Sequence, residues 1–484
     1  MRRVYLTLST ILIAAAAIAQ QNPPAPAAQA FTLEQCIQYA LENSANVKNA
    51  VLDEQIADAK VKETRGIGLP QVDAAVSVQH NQKLPRFFSQ YNPGSEGFID
   101  LSTVPGIQPG DVVALQNFFQ LKSAGNAALS ITQLLFNGSY LVGLQAAGAY
   151  RDLAIKTSAQ TKEVTTEQVT KAYYNVLINK DRMKLFDVNI GRIDSLLKTT
   201  KALNQNGFAE KIDVDRIQVT ANNLKASRDN FYNLQELGLQ LLKFQMNYPM
   251  DQTIDIAGDI ASLQIDENLL NNYSVNWDYT QRSDYRILET NRKLQALNVK
   301  NKYAESLPSL SAFANLGYST QSPNISGLFK TESDIEDTGA IGPDKWYSFS
   351  SFGVSLNIPI FSGLQRSYRL QQAKLTMQKV ENGVTTLKSS IDLEIKQAAI
   401  TYQNAINSLK AQQDNRVLAE NIARVTKIKY EQGVGSNIEV IDAESSLKEA
   451  QINYYDALYN ALVAKVDLEK AYGKLNPQTS QENK

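Results

Sequence analysis

Two residue types that build many enzyme and metal centres are nearly missing from this chain. Its 484 residues include one cysteine, Cys36, and one histidine, His80. A disulfide within the chain, a cysteine-based zinc cluster and a two-histidine metal site are therefore excluded. The hydrolase signature GxSxG and the phosphate-binding signature GxxxxGK(S/T) are absent too. We predict that the chain is not an enzyme, with no catalytic residues, no metal site and no cofactor.

An excess of positive charge is also missing. The chain carries 48 lysine and arginine residues against 49 aspartate and glutamate residues, a net charge of −1. Proteins that bind nucleic acid usually show a basic excess or a basic stripe. We therefore predict no nucleic acid among its partners.

Long apolar runs are confined to the amino terminus. Arg2 and Arg3 precede an apolar stretch over 6–17, and Ala-Ile-Ala at 17–19 matches a signal-peptidase site. We predict a signal peptide over 1–19 and a flexible, proline-rich linker over 20–30, with an uncleaved membrane anchor as the alternative. A transmembrane helix needs about 20 apolar residues, and no later segment approaches that length.

The chain contains an internal duplication. LPQV at 69–72 recurs as LPSL at 307–310, LLFNG at 134–138 as PIFSG at 359–363, and the NGF and IDV of 206–214 as the QGV and IEV of 432–440. The copies keep their order, 225 to 238 positions apart. This register predicts two structural repeats, over 31–248 and 281–475. A connecting segment over 249–280 would join them, and a disordered tail over 476–484 would follow.

Each repeat begins with a helical pattern that leads into alternating apolar and polar residues, the signature of half-buried strands. We predict β-hairpins over about 70–136 and about 308–361, with long polar connections over 80–126 and 319–345. The first connection is expected to hold short extra strands near 112–119. Trp346, Tyr347 and Phe349 at the start of the last strand would suit an aromatic girdle at a membrane interface.

Each hairpin is followed by a long segment without proline. We predict helices over 138–205 and 363–431, each roughly 100 Å long at 1.5 Å per residue. Apolar or small residues recur along them at spacings of three and four, as in a coiled-coil seam. Glycine-containing turns then lead into return helices over 210–247 and 437–473.

Four strands cannot close a membrane barrel, because the smallest such barrels have eight. Strand edges in lipid must be paired, since an unpaired backbone amide there costs several kcal/mol. If the strands lie in lipid, the chain must oligomerise, and a trimer would give twelve strands with room for a pore. Ordinary amphipathic strands of a soluble α+β protein are the alternative.

Four segments resemble the TolC-like outer membrane efflux protein family: TLEQCIQYAL at 32–41, AESLP at 304–308, IFSG at 360–363 and GVGSNIEVIDA at 433–443. They are similar to the family's opening helix, its two helix–strand junctions and the turn before its last helix. The resemblance, over about 31–475, implies a mainly α fold with a transmembrane β part. Three chains would form a twelve-stranded outer-membrane β-barrel, four strands per chain, continued by a long α-helical tunnel in the periplasm.

The resemblance also implies a function. The homotrimer would be the passive exit duct of a tripartite efflux or type I secretion system in the cell outer membrane. The implied partners are a periplasmic adaptor (membrane fusion) protein, an inner-membrane efflux pump or ABC transporter reached through that adaptor, and outer-membrane lipid. Its cargo would be drugs, detergents, metals or secreted polypeptides.

The resemblance also implies functional residues, which we assign by matching positions of this sequence to the motif of the family. In similar family members, acids at the start of the return helices constrict the closed tunnel, and the matching residues are Glu439, Asp442 and Asp213. Alternatively, these acids only complement a helix dipole. Some members carry an arginine four residues before the first acid, where this chain has Gly435.

The two turns between the long helices and the return helices, Gly207-Phe208 and Gly433-Val434, are candidates for adaptor docking. Alternatively, they are ordinary turns in which glycine supplies a positive φ. The rival function for the chain is a periplasmic coiled-coil scaffold or adhesin without channel activity. A scaffold has no need for four alternating strands, and alkaline carbonate should wash it off membranes.

Overall fold

The computed structural model describes residues 29–94, 100–101, 104–117, 119–258, 260, 265–266, 268–274, 277–330, 333–334 and 345–475. The predicted signal peptide, most of the linker and the tail over 476–484 lie outside these residues. The chain divides into two compact units. The strand unit comprises 58–149 and 294–377, and the helical unit comprises the described residues before, between and after these segments.

The secondary structure alternates between short strands and helices of very different lengths. The helices are α1 (Leu33–Asn43), α2 (Ala45–Gly66), α3 (Gly138–Gln205), α4 (Lys211–Met246), α5 (Leu269–Ser274), α6 (Ser283–Ala304), α7 (Gln365–Glu431) and α8 (Asn437–Ala471). The strands are β1 (Gln29–Phe31), β2 (Gln71–His80), β3 (Phe87–Gln90), β4 (Val112–Leu115), β5 (Ser123–Phe136), β6 (Ile254–Ile256), β7 (Ser309–Ser322), β8 (Ser333–Asp334) and β9 (Trp346–Asn357).

One sheet forms the centre of the strand unit. Its strand order is β2-β5-β7-β9-β8, so the two predicted hairpins join through β5 and β7. The four long strands are antiparallel, while β8 pairs with only Trp346 and Tyr347 of β9. In the described part of this unit, β2 and the remainder of β9 therefore pair with a neighbour on one side alone.

The register gives this sheet two unlike faces. Val76 lies opposite Ala127, and Phe352 opposite Ala314, on a face that is apolar over most of its length. Most of its large side chains are exposed, Phe352 to 89%. We call this the apolar face; its larger members are Val72, Val76, Val78, Leu129, Ile131, Leu310, Leu316, Phe352, Val354 and Leu356.

The opposite face of the sheet is polar. The Ser130 hydroxyl donates to Asn315 Oδ1 (2.9 Å), and the Asn315 amide donates to Ser351 Oγ (3.4 Å), so polar side chains connect three adjacent strands. Of the three aromatic residues proposed for a girdle, the register places only Trp346 on the apolar side. Tyr347 and Phe349 belong to the polar face, where the Phe349 ring packs against Gly317.

The helical unit buries an apolar seam along its helices. One cluster joins Tyr173 and Leu177 of α3, Leu242 of α4 and Leu462 of α8 with the strand pair β1–β6. Apolar residues of α8 are buried as well, at Ala443, Leu447, Ala457, Ala461, Ala464 and Leu468. Small side chains at these positions allow neighbouring helices to approach closely.

The opening helix was expected to be continuous, but the structure breaks it at Ser44. That residue has an extended ψ of 130° and ends α1, and its carbonyl accepts the Lys48 amide in the first turn of α2. The Asn247 side chain donates to the Asn43 carbonyl at the break (3.0 Å). Sequence reasoning missed this break because the stabilising group comes from a residue about two hundred positions later.

Several strand boundaries also differ from the predictions. Gln29 and Ala30, assigned to the linker, pair with β6, which itself lies in the connecting segment predicted to be irregular. The last strand ends at Asn357 rather than 361, because Pro359 has no amide hydrogen for a strand ladder. The extra strand expected near 112–119 is the shorter β4, which pairs with β3.

Within the described residues, every helix is too short or too polar to cross a lipid bilayer.

Candidate functional site

The two turns that connect the long helices to the return helices have the same backbone geometry. Gly207 and Gly433 have positive φ angles of 79° and 75°. The following amides, of Phe208 and Val434, donate to carbonyls five residues earlier (2.8 and 3.0 Å), as in a Schellman C-cap. Both glycines are thus required by the turn. The side chains of Phe208 and Val434 are 81% and 78% exposed, so the turns present apolar groups to solvent.

The predicted constriction residues lie just after these turns. Glu439 is in the first turn of α8, where its amide donates to the N-cap hydroxyl of Ser436 (3.3 Å), and Asp442 follows one turn later. Both side chains are exposed. A spacing of three places the two carboxylates on one side of the helix.

Asp213 occupies the matching first turn of α4 but differs in its surroundings. Its side chain is half-buried, and its Oδ1 lies 3.9 Å from Arg216 Nη1. Its carbonyl accepts the Asn437 side-chain amide from the start of α8 (3.2 Å). The structure therefore brings the two predicted acid positions together through Asn437, a buried residue that the sequence pattern did not single out.

Polar contacts also join the helices near these turns. The hydroxyls of Thr200 in α3 and Tyr430 in α7 lie 3.0 Å apart. Farther along the helices, the Asn189 side-chain amide donates to Gln451 Oε1 (2.9 Å) in a buried position. These pairs are more than 200 residues apart in sequence, so only the fold reveals them.

Glu444, near the predicted constriction, is an acid of α8. Its side chain is almost fully buried, with its Oε2 3.9 Å from Arg192 Nε. Burial raises the pKa of the Glu444 carboxyl, while the charges of Arg192 and Lys427 act in the opposite direction. Glu444 points into the protein, so we assign it a structural role rather than a place in the constriction.

Gly435, at the position where the resemblance implies an arginine in some family members, is in close contact with α7. A Cβ at this position would lie 3.0 Å from the Cβ of Lys429 and 3.1 Å from the amide nitrogen of Tyr430. A larger side chain would require the last turn of α7 to move. The packing of this turn therefore disfavours an arginine here.

Comparisons with known proteins agree with this architecture. The model of the family described as outer membrane efflux protein matches residues 286–474. The outer membrane protein TolC of Escherichia coli is 22% identical over 458 residues, which cover 93% of this chain and 84% of that protein. The toluene efflux pump outer membrane protein TtgC of Pseudomonas putida is 24% identical over 447 residues, covering 91% and 82%.

Solved structures show the same fold. The MtrE outer membrane channel of Neisseria gonorrhoeae, in its open state, superposes with a TM-score of 0.67 at 19% identity, covering 92% of this chain and 89% of that one. The Campylobacter jejuni CmeC outer membrane channel gives 0.66 at 16% identity, covering 93% and 88%. These matches agree with the resemblance found in the sequence: residues 286–474 match the outer membrane efflux protein family, and nearly the whole chain is similar to TolC-like outer-membrane proteins. They support the predicted outer-membrane location and the predicted role as an exit duct.

Proposed function

We propose that three copies of this chain form one twelve-stranded barrel through the outer membrane, continued by a tunnel of helices in the periplasm. The observation that carries this proposal is the set of four long strands, which has an exposed apolar face and two edges, β2 and the remainder of β9, without a strand partner on the outer side in the described strand unit. In lipid such edges must be paired. Pairing β9 of one copy with β2 of the next satisfies them all in a closed ring.

The length of the strand segment from Leu310 to Thr320 suits an outer membrane. Ten residues separate Leu310 from Thr320 along β7. At about 3.4 Å per residue and a tilt of about 40°, they span about 26 Å along the membrane normal. The apolar band of outer-membrane barrels is about 25 Å tall. The polar face would then line the channel.

Exposed apolar stripes on the helical unit also support assembly with further copies of this chain. On α4, Leu234, Leu237, Leu241 and Phe244 recur at spacings of three and four, and most border an open groove of about 630 Å³. On α7, Leu418, Ile422 and Val425 are exposed at the same spacing. Helices with such stripes associate as coiled coils, and we assign both stripes to contacts between the three chains.

The two repeats inferred from sequence fit the same proposal. Each would contribute two strands, one long helix and one return helix to the assembly. The matching geometry of the turns at Gly207 and Gly433 supports this duplication. Six helix pairs would then surround one axis.

We assign the periplasmic constriction to Glu439 and Asp442, with Asp213 beside them. Three copies would place six exposed carboxylates from α8 in a ring, which would favour cations. The contacts Thr200–Tyr430 and Asn437–Asp213 would hold the helix ends together without an arginine at position 435.

The chain would act passively, with an adaptor and an energised inner-membrane pump supplying the cargo. TtgC is named as part of a toluene efflux pump, which favours efflux of small molecules over secretion of polypeptides. A periplasmic scaffold is the rival function, but the exposed apolar face is unsuited to water. Electron microscopy of the detergent-extracted particle tests the proposal, since only the channel requires a threefold barrel.

Adaptor docking at Phe208 and Val434 predicts a specific loss. Replacing both with aspartate should strongly reduce the adaptor recovered after cross-linking in cells, because the exposed apolar contact becomes charged. The turns should still form, since neither glycine is changed. Quantifying adaptor that co-purifies with the chain measures the effect.

The matched control replaces the same residues conservatively, Phe208→Leu and Val434→Ile, and should retain the adaptor. Adaptor recovery that is equal for the aspartate and the conservative variants would place the docking surface elsewhere. Channel conductance of both variants in planar bilayers checks that assembly is intact.

A further inference from the structure

The apolar face changes character at the end of the sheet where β2 ends and β5 begins. The register continues this face from Val78 to His80 on β2, and from Tyr318 to Thr320 and Ser322 on β7, with Ser123 on β5 opposite His80. His80 Nδ1 lies 2.8 Å from Ser123 Oγ. The outer end of an otherwise apolar surface is thus polar, yet Ser123, Thr320 and Ser322 are buried.

A short helical turn covers these residues. We call Ile325–Phe329 the rim turn. It packs against β5 and β7 and buries Gly327 and Leu328. The indole Nε1 of Trp346 donates to the Leu328 carbonyl (3.0 Å). The Trp346 ring lies over Gly125, where a Cβ would come within 2.8 Å of it, so the turn is fixed to the sheet.

The rim turn presents an apolar surface in place of the polar one that it covers. Ile325 is 50% exposed and Phe329 is 70% exposed. A water-facing loop would not need to hide hydroxyl groups beneath a surface of isoleucine and phenylalanine. These exposed apolar side chains belong to the turn that packs against the outer end of the apolar face.

The position of the rim turn along the membrane normal indicates which part of the bilayer surrounds it. Thr320 lies about 26 Å along the membrane normal from Leu310, by the rise and tilt of barrel strands. This distance equals the height of the apolar band, so the rim turn lies at its outer boundary. Indole rings such as that of Trp346 are favoured at this depth, and girdles of aromatic residues border the apolar band of outer-membrane barrels.

We propose that the rim turn is a lipid-binding element, with Ile325 and Phe329 inserted into the outer leaflet at the boundary between acyl chains and headgroups. The occupant of this surface is outer-leaflet lipid, because the surface is continuous with the apolar face of the sheet. The inference rests on the barrel proposed above. It adds a contact outside the strands themselves.

Spin labels at single cysteines test this assignment in liposomes. The background is Cys36→Ala, because Cys36 is the only cysteine and is buried. Phe329→Cys is compared with two reference sites on adjacent β9 residues, Phe352→Cys on the apolar face and Ser351→Cys on the polar face. Collision with oxygen reports lipid, and collision with a water-soluble nickel chelate reports water. We expect the label at 329 to collide with the chelate several-fold less often than the label at 351, and more often than the label at 352.

The reference sites separate the possible failures. Suppose that the label at 329 collides with the chelate as often as the label at 351 does, while the label at 352 collides only with oxygen. That result overturns the rim-turn assignment and leaves the barrel intact. A label at 352 that is open to the chelate overturns the barrel and the rim-turn assignment together. A label at 329 that is immobile and shielded from both reagents indicates contact with protein, and that result also overturns lipid binding. Ile325→Cys provides an independent second site.

Discussion

Replacing Phe352 with lysine is expected to prevent stable insertion of the chain into the outer membrane. Phe352 is 89% exposed on the apolar face, opposite Ala314 and near mid-height of the predicted lipid band. A lysine at the midplane of a barrel costs about 2–4 kcal/mol, or about 6–12 kcal/mol for three copies. Flotation of liposomes after refolding, with the inserted fraction measured by protease protection, quantifies the loss.

Ser351→Lys is the matched control, because Ser351 is the preceding residue on the polar face. This variant should insert normally and should reduce cation conductance, since three positive charges would line the pore. If Phe352→Lys inserts as well as Ser351→Lys, then the face containing Phe352 does not contact lipid. If Ser351→Lys prevented insertion and Phe352→Lys only reduced cation conductance, then the polar face would contact lipid and the apolar face would line the pore.

Replacing Glu439 and Asp442 with alanine is expected to raise single-channel conductance in planar bilayers and to lower the preference for cations. The assembled ring would lose six exposed carboxylates, both the charge that attracts cations and the side chains that narrow the passage. The measurement is the current through single channels, with the reversal potential in a salt gradient giving the selectivity.

The amide variants Glu439→Gln and Asp442→Asn separate charge from size. They should lose cation preference as the alanine variants do, while conductance should rise less because the side chains remain. Glu449→Ala, an exposed acid farther along α8, should change neither quantity. Conductance and selectivity that stay at their original values in the alanine variants would remove Glu439 and Asp442 from the constriction and leave the fold unaffected.

The sequence indicated the elements of this fold well because their signals are local. A proline-free segment bounded by Gly138 and Gly207 predicted a helix over 138–205, and α3 covers Gly138–Gln205. Alternation of side chains likewise predicted which residues of β2 and β7 share a face. Where a local signal was weak, as at Ser44, the boundary was missed.

Pairing between distant segments was not predictable in the same way. The contact between β5 and β7 joins the two hairpins, and Asn437 links α8 to the backbone of Asp213. The sequence around the residues of either contact does not indicate the pairing, because hydrogen bonds between residues far apart in sequence depend on how the folded chain packs. The rim turn was hidden for the same reason, since its sequence resembles an ordinary loop. The assignment of Glu439, Asp442 and Asp213 to the constriction came from family resemblance, and stays a prediction.

We propose that the two unpaired strand edges of each chain, on β2 and β9, become paired when three chains assemble. Electron microscopy of the particle extracted in mild detergent tests it most directly. We expect threefold symmetry, one β-barrel of twelve strands with β9 of each chain paired to β2 of the next, and a hollow stem of helices. A monomeric particle, or an assembly in which the β2 and β9 edges stay unpaired, would contradict it.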